Sequence, residues 1–276
     1  MTRLESPSSI NTYKTCARKY FYHYKLNLPT KDSLATINGS AVHTALENFY
    51  TIDPSNLSFN NYENELRHHL LNTFNQAWTE SVPKLLGLGI EKEGIKSTYQ
   101  ESLNMLNRFL SVFTEQLQQT MSNKPLQEAF NFLKPETEVL LSSSFHQVRG
   151  YVDAIHNREG EVVIIDYKTS RSDELTDEYK LQLAIYAMLY QERQGKIPEK
   201  AALYFLRHGT HKYVEVTAEL VEHAKQTCAD VHSNTVSNEI NDYEKNLGTW
   251  CKWCDYKDYC FGQTRLHAYQ QPEEQQ

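Results

Sequence analysis

The feature that most constrains this 276-residue chain is the stretch Glu161-Val-Val-Ile-Ile-Asp-Tyr-Lys168. Val162, Val163, Ile164 and Ile165 form a continuous β-branched run, which reads as a strand buried on both faces. The run ends abruptly in Asp166, Tyr167 and Lys168. Residues i and i+2 of a strand point to the same side, so Asp166 and Lys168 should project together from the end of a buried strand. A carboxylate and an ammonium are costly to place there without a partner or a task. Taken alone, such a pair reads as a structural ion pair.

The upstream sequence changes that reading. Gly150-Tyr151-Val152-Asp153 lies in another alternating, strand-like segment, and a turn at Asn157-Arg158-Glu159-Gly160 leads into the central strand. Antiparallel strands joined in this way bring Asp153 close to Asp166. Two carboxylates beside a lysine make a hard-cation site suited to phosphodiester hydrolysis, because a divalent ion activates water and neutralises phosphate charge. Lys168 could orient that water or stabilise developing charge.

Whole-chain numbers set outer limits. A hydrophobic content of 39% with 23% charged residues describes an ordinary globular protein. The net charge of −7 argues against a generally basic nucleic-acid coat but leaves room for a local basic groove. No apolar run approaches the length of a membrane span, and Met1 to Ser9 lacks a signal-peptide core. The expectation is a cytoplasmic protein with no membrane partner.

In chain order, Ser6-Pro7 reads as a helix start, with the helix continuing into Ala17–Lys25, where bases and aromatics alternate. Arg18 and Lys19 there are candidate strand contacts. Gly39 opens a second helix with an apolar stripe of Val42, Ala45, Leu46 and Phe49, His43 beside it and Glu47 one turn on. Residues 60–133 read as helices, with stripes Leu66, Leu70, Phe74, Ala77 and Leu103, Leu106, Leu110, Phe113, Leu117, broken from Pro83 to Gly94. Lys96-Ser97 does not follow Gly94 at phosphate-loop spacing, which excludes a P-loop NTPase. Strands are expected at Thr137–Phe145, Gln147–His156 and Glu161–Lys168. A helix over Asp177–Gln194 carries Gln182 and Tyr186 on one face, a hairpin spans Ala201–Arg207 and Lys212–Thr217, and a last helix holds Cys228, a buried and inert thiol.

Five cysteines suit no secreted disulfide scaffold. Cys251-x-x-Cys254 allows two thiolates to chelate one centre, and Cys260 can add a third. Cys16 is the convincing fourth candidate, with His23 a substitute in principle. Zinc and an iron-sulfur cluster both remain open on spacing alone.

These motifs together resemble the PD-(D/E)xK nuclease superfamily, in its RecB-like iron-sulfur branch: CRISPR-associated adaptation exonucleases, exonuclease V and the AddB C-terminal domain. Asp153 stands at the first acidic position, Asp166-Tyr167-Lys168 at the D-x-K element, Gly39-x-x-x-His43 at the first motif and Gln182-x-x-x-Tyr186 at the motif after D-x-K. Asp166 departs mildly, since many relatives carry glutamate there. The resemblance implies an α/β restriction-endonuclease-like core with a central mixed sheet flanked by helices. Residues 1–276 would form one nuclease domain, with 55–133 a helical insertion covering the cleft and 1–26 joined to 245–265 by an iron-sulfur clasp. It implies Mg²⁺ or Mn²⁺ on His43, Asp153, Asp166 and the Tyr167 carbonyl, with Asp153, Asp166 and Lys168 catalytic. Gln182 and Tyr186, with Arg18 and Lys19, would contact nucleic acid. A [4Fe-4S] cluster on Cys16, Cys251, Cys254 and Cys260 is favoured over zinc. The implied activity is exonucleolytic cleavage of single-stranded DNA, alongside helicase, repair or CRISPR-adaptation partners. The competing expectation is a non-catalytic nucleic-acid-binding module of such a complex.

Overall fold

The computed structural model describes residues 3–262. In chain order it contains α1 (Pro7–Thr15), α2 (Ala17–Tyr20), a π-helical turn (Phe21–Lys25), α3 (Leu34–Phe49), α4 (Tyr62–Gly87), α5 (Lys92–Met121), α6 (Leu126–Leu133), β1 (Glu136–Ser143) and β2 (Val148–Arg158). There follow β3 (Glu161–Lys168), α7 (Asp177–Gln194), β4 (Lys200–Phe205), β5 (Thr210–Glu215), α8 (Ala218–Asn234) and α9 (Lys257–Cys260). The chain divides into two compact units, the larger comprising Asp32–Ser143 and Arg149–Lys225.

The larger unit is built on a mixed sheet in the order β1-β2-β3-β4-β5. β2 and β3 pair antiparallel as far as Arg158↔Glu161. The expected four-residue turn is thus only Glu159-Gly160, both with positive φ at 55° and 95°. That pattern gives the twist a two-residue hairpin needs. β4 runs parallel to β3, and α7 supplies the crossover that parallel neighbours require. Thr176 caps α7 at its start, and Gly195 ends it in the left-handed region at φ 75°.

Strand alternation sorts the sheet into two faces. Ala154, Ile165, Tyr167 and Tyr204 share one apolar core with α3, α4, α5 and α6. Asp166 and Lys168 face the other way, where Gln182 of α7 meets them. The helical segment is therefore anchored on the sheet face opposite Asp166.

α3 begins earlier than the sequence suggested. Ser33 accepts from the Thr36 amide while the Thr36 hydroxyl accepts from the Ser33 amide, a reciprocal cap that starts the helix at Leu34. Gly39 is consequently interior, and a Cβ there would meet only ordinary contact with Thr169 Oγ1 at 3.5 Å. The buried stripe ends in Phe49, which stands edge-on to Phe109 and Phe113 at centroid distances of 5.3 and 5.0 Å. Truncating such a ring to alanine costs about 3–5 kcal/mol.

α4 does not break at Pro83 but runs through it to Gly87. Fully buried Leu85 anchors the last turn and offsets the hydrogen bond that proline cannot donate. The stripe of α4 closes with Trp78 rather than Ala77, which is only partly buried.

In the smaller unit, Ser6 and Ser9 cap α1 reciprocally with Pro7 at the first position, as expected. The helix does not continue into 17–25, because Cys16 is extended at φ −163°, ψ 109°. The aromatics beyond it serve packing: Tyr20, Phe21 and Tyr22 are buried with Tyr243 and Tyr256. Burial pushes the Cys228 thiol up to about 12, which fits an inert residue. Positions 263–265 of the expected clasp lie outside the described residues. Among the described residues no helix is long and apolar enough to cross a membrane.

Candidate active site

The antiparallel register that pairs Ala154 with Ile165 sets Asp153 opposite Asp166 on one sheet face. Asp153 Oδ2 accepts a hydrogen bond from the Tyr167 amide at 2.7 Å. Its other oxygen lies 3.5 Å from His43 Nδ1, so α3 delivers the imidazole to the end of the sheet. His43, Asp153 and Glu138 each offer a donor atom within 4.8 Å of the others.

Glu138 was not anticipated. It lies in β1 with φ 49°, a left-handed conformation unfavourable for a residue with a Cβ. Alternation along Glu136-Thr137-Glu138 gives no reason to prefer one acid to the other, so the kink was not legible. Burial raises the Glu138 pKa, and the charges of Asp153 and Glu47 add to the rise. Glu47, expected near His43, is exposed and acts on this cluster through its field.

Asp166 is 4% exposed. Its Oδ1 accepts from Gln182 Nε2 at 2.9 Å. Its Oδ2 lies 2.6 Å from Lys168 Nζ, so the ammonium is its partner in this structure. Lys168 also donates to Gln182 Oε1 at 3.0 Å and sits over the Tyr179 ring at 4.8 Å. Gln182 Nε2 donates further to the Tyr186 hydroxyl at 3.0 Å. The Gln182 amide is thus committed to the site's own residues and fixes Asp166 and Lys168. The buried Tyr167 side chain turns to the opposite face of the sheet, leaving its backbone at the site.

Burial pushes the Asp166 pKa up to about 6, with Asp153 adding and Lys168 opposing. Burial alone would lower the His43 pKa, but the hydrogen bond and charge of Asp153 carry it above the ordinary imidazole value. In both cases the folded protein holds its proton more tightly than the unfolded chain. The stability Asp166 contributes is complete below its unfolded value of 3.8 and is lost as pH rises toward about 6. The His43 contribution is complete below 6.5 and is lost as pH rises through its raised value. A metal needs both groups deprotonated and reverses this trend. Stabilisation by Mn²⁺, read as the difference in Tm with and without the ion, should therefore grow from pH 5 to 7.5. A difference independent of pH would show that these groups do not hold it.

The remaining expected site residues lie in the smaller unit. Cys16, Cys251, Cys254 and Cys260 line one cavity of about 190 Å³, together with Arg18 and Lys19. Arg18 Nε donates to the Tyr243 carbonyl at 2.7 Å, so part of its fork is already used. His23 is not among the cavity's lining residues, and its Nδ1 lies 2.7 Å from the Tyr256 hydroxyl.

Comparison with known proteins agrees with this geometry. The family model described as the PD-(D/E)XK nuclease superfamily matches residues 5–261. An ATP-dependent helicase/nuclease subunit of Listeria monocytogenes serotype 4b (strain F2365) is 26% identical over 148 residues, 47% of this chain. The match covers 12% of that relative's length. Among solved structures, a presumptive exonuclease from Eubacterium rectale superimposes with a TM-score of 0.52 at 12% identity, covering 98% of this chain and 90% of the other. Family match, shared fold and assembled site residues agree: this chain belongs to the PD-(D/E)XK nuclease superfamily.

Proposed function

We propose that this chain is a metal-dependent deoxyribonuclease of the RecB-like iron-sulfur branch, cutting single-stranded DNA from an end. The observation that supports the reading is that two contact pairs, His43 with Asp153 and Lys168 with Asp166, stand on neighbouring strands, with Glu138 beside the first. His43, Glu138, Asp153 and Asp166 would hold Mg²⁺ or Mn²⁺, with the Tyr167 carbonyl completing the protein ligands. The imidazole favours Mn²⁺ relative to an all-oxygen set. Such an ion supplies Lewis acidity at the phosphate and an acidified water. Lys168, held by Gln182, would orient the attacking water and offset charge on the phosphate oxygens. Tyr186 stabilises the same network through Gln182.

The cysteine cavity supports a [4Fe-4S] cluster over zinc. Among the described residues no three of these sulfurs come within 4.8 Å of one another, whereas a tetrahedral zinc with bonds of ~2.3 Å needs sulfurs ~3.8 Å apart. Arg18, Lys19, Lys245 and Lys257 also line the cavity and would offset an anionic cluster. The cluster's role in this reading is structural, tying the first helices to the C-terminal segment. The Listeria relative's name suggests a helicase as partner, and in this reading the chain works on DNA in the cytoplasm.

The test is a comparison of wild type with Lys168→Ala on 5′- and 3′-labelled single and double strands with Mg²⁺ or Mn²⁺. Wild type should shorten single strands progressively. The variant should lose about 10²–10³ in rate, the effect of one missing transition-state donor, while binding DNA normally. Wild-type protein that binds strands but never cuts them would replace this reading with a non-catalytic binding module.

A further inference from the structure

We propose that Tyr179 is a positioning residue for the cleavage reaction, its ring fixing the Lys168 ammonium while one N–H stays free for water or phosphate. The inference rests on the nuclease reading above and adds a side chain that lies outside the D-x-K and Gln-x-x-x-Tyr motifs.

Lys168 Nζ stands over the Tyr179 ring, 4.8 Å from its centre. The Lys168 side chain is only 18% exposed. Attraction between a cation and a ring face is strongest in such a setting, where little water competes. The ring is itself held from two directions. Tyr179 lies in the first turn of α7, where its amide donates to the capping Thr176 Oγ1 at 3.4 Å. Its ring also meets Phe205 edge-on, at 6.2 Å and 66°. Phe205 is fully buried and is the β4 register partner of Lys168. Helix cap and neighbouring strand therefore pin the ring, and the flexible lysine stem conforms to it.

The donor count shows what a ring achieves here that another acceptor would not. An ammonium has three N–H donors. Asp166 Oδ2 at 2.6 Å and Gln182 Oε1 at 3.0 Å take two of them. Two contacts alone leave a long side chain room to swing, and a third acceptor would consume the last donor. An aromatic face avoids both outcomes, because it attracts the charge as a whole and accepts no conventional hydrogen bond. Gln182 and Tyr179 are three positions apart, so one face of α7 presents amide and ring together. Asp166 is also a candidate metal ligand, and engaging it there would loosen its grip on Lys168. Ring and amide are the two holds that remain.

Steady-state cleavage of a labelled single strand with Mn²⁺ compares wild type, Tyr179→Phe and Tyr179→Leu. Leucine fills space without a ring, so kcat should fall about 5- to 30-fold with KM changed by less than about twofold. Phenylalanine keeps the face and should retain about half of the wild-type kcat or more. In a Lys168→Ala background the leucine change should cost less than about twofold further, because the ring acts only through the ammonium. A second readout uses no cleavage. In EDTA, the Lys168 ε-methylene resonance of ¹³C-lysine-labelled protein, identified by its loss in Lys168→Ala, should lie upfield of the other lysines through the ring current. It should return to their range in Tyr179→Leu. The role is overturned by unchanged kcat in Tyr179→Leu, by an equal loss in Tyr179→Phe, by the full leucine effect persisting without Lys168, or by an undisplaced Lys168 resonance in wild type. The last of these needs no Tyr179 variant to fold. Wild type that never cuts overturns the nuclease reading and this role with it, whereas any of these results in a wild type that cuts overturns the role alone.

Discussion

Asp153→Asn should lower metal-dependent cleavage by about 10³, some 4 kcal/mol of transition-state stabilisation, while leaving the metal-free fold as stable as wild type or more so. Asp153 occupies both of its oxygens, one toward His43 and one on the Tyr167 amide. Asparagine has one carbonyl oxygen for these two tasks. If it keeps the Tyr167 bond, its NH₂ points at the imidazole and the ion, where a donor repels a cation. Affinity for Mn²⁺ should fall beyond the ~10–100-fold that follows loss of a supporting residue around a metal. At a pH where His43 is neutral, so that its attraction to Asp153 no longer counts, stability should move the other way, because the Asp153 charge helps push up the pKa values of Asp166 and Glu138. Removing it relieves repulsion among three clustered acids. Mn²⁺ titration and melting in EDTA, run beside the cleavage assay, read the two directions separately. An asparagine variant that binds Mn²⁺ and cuts as wild type does would remove Asp153 from the site.

This opposition between stability and chemistry explains which parts of the molecule were legible in sequence. The D-x-K element was readable because it breaks a local rule, setting two charges at the end of a β-branched run. The pairing of Asp153 with Asp166 followed from hairpin logic and needed only the register. Glu138 was not readable, since what distinguishes it is a backbone kink produced by tertiary packing. Gln182 was recognised as a motif residue, yet its three hydrogen bonds within the site depend on how α7 crosses the sheet. Helix boundaries failed for similar reasons. Pro83 signals a break that buried Leu85 overrides, while Cys16 carries no breaking signal and still interrupts a helix.

Cys16→Ser should give a colourless or pale protein from a brown one and lower Tm by about 10–20 °C. The extended backbone at Cys16 places its thiol at the junction of α1 and α2, on the cavity shared with Cys251, Cys254 and Cys260. Few polar ties otherwise join this junction to the C-terminal segment. The Arg18 amide donates to the Glu244 carbonyl at 3.0 Å, Arg18 Nε to the Tyr243 carbonyl at 2.7 Å, and Asn246 Nδ2 to the Thr15 carbonyl at 2.9 Å. Each neutral one is worth only about 0.5–1.5 kcal/mol net. A covalent tie through a cluster would close a loop of more than 100 residues, worth about 5 kcal/mol by chain entropy. At roughly 2–4 °C per kcal/mol for a chain approaching this size, that gives the stated shift. Cys228→Ser is the matched control: its thiol is buried in α8 and should leave the visible absorption intact. Iron and sulfide analysis of anaerobically purified protein separates the alternatives. One tightly held zinc per chain in colourless wild type would overturn the cluster. Full visible absorption retained in Cys16→Ser would show that the fourth ligand lies elsewhere.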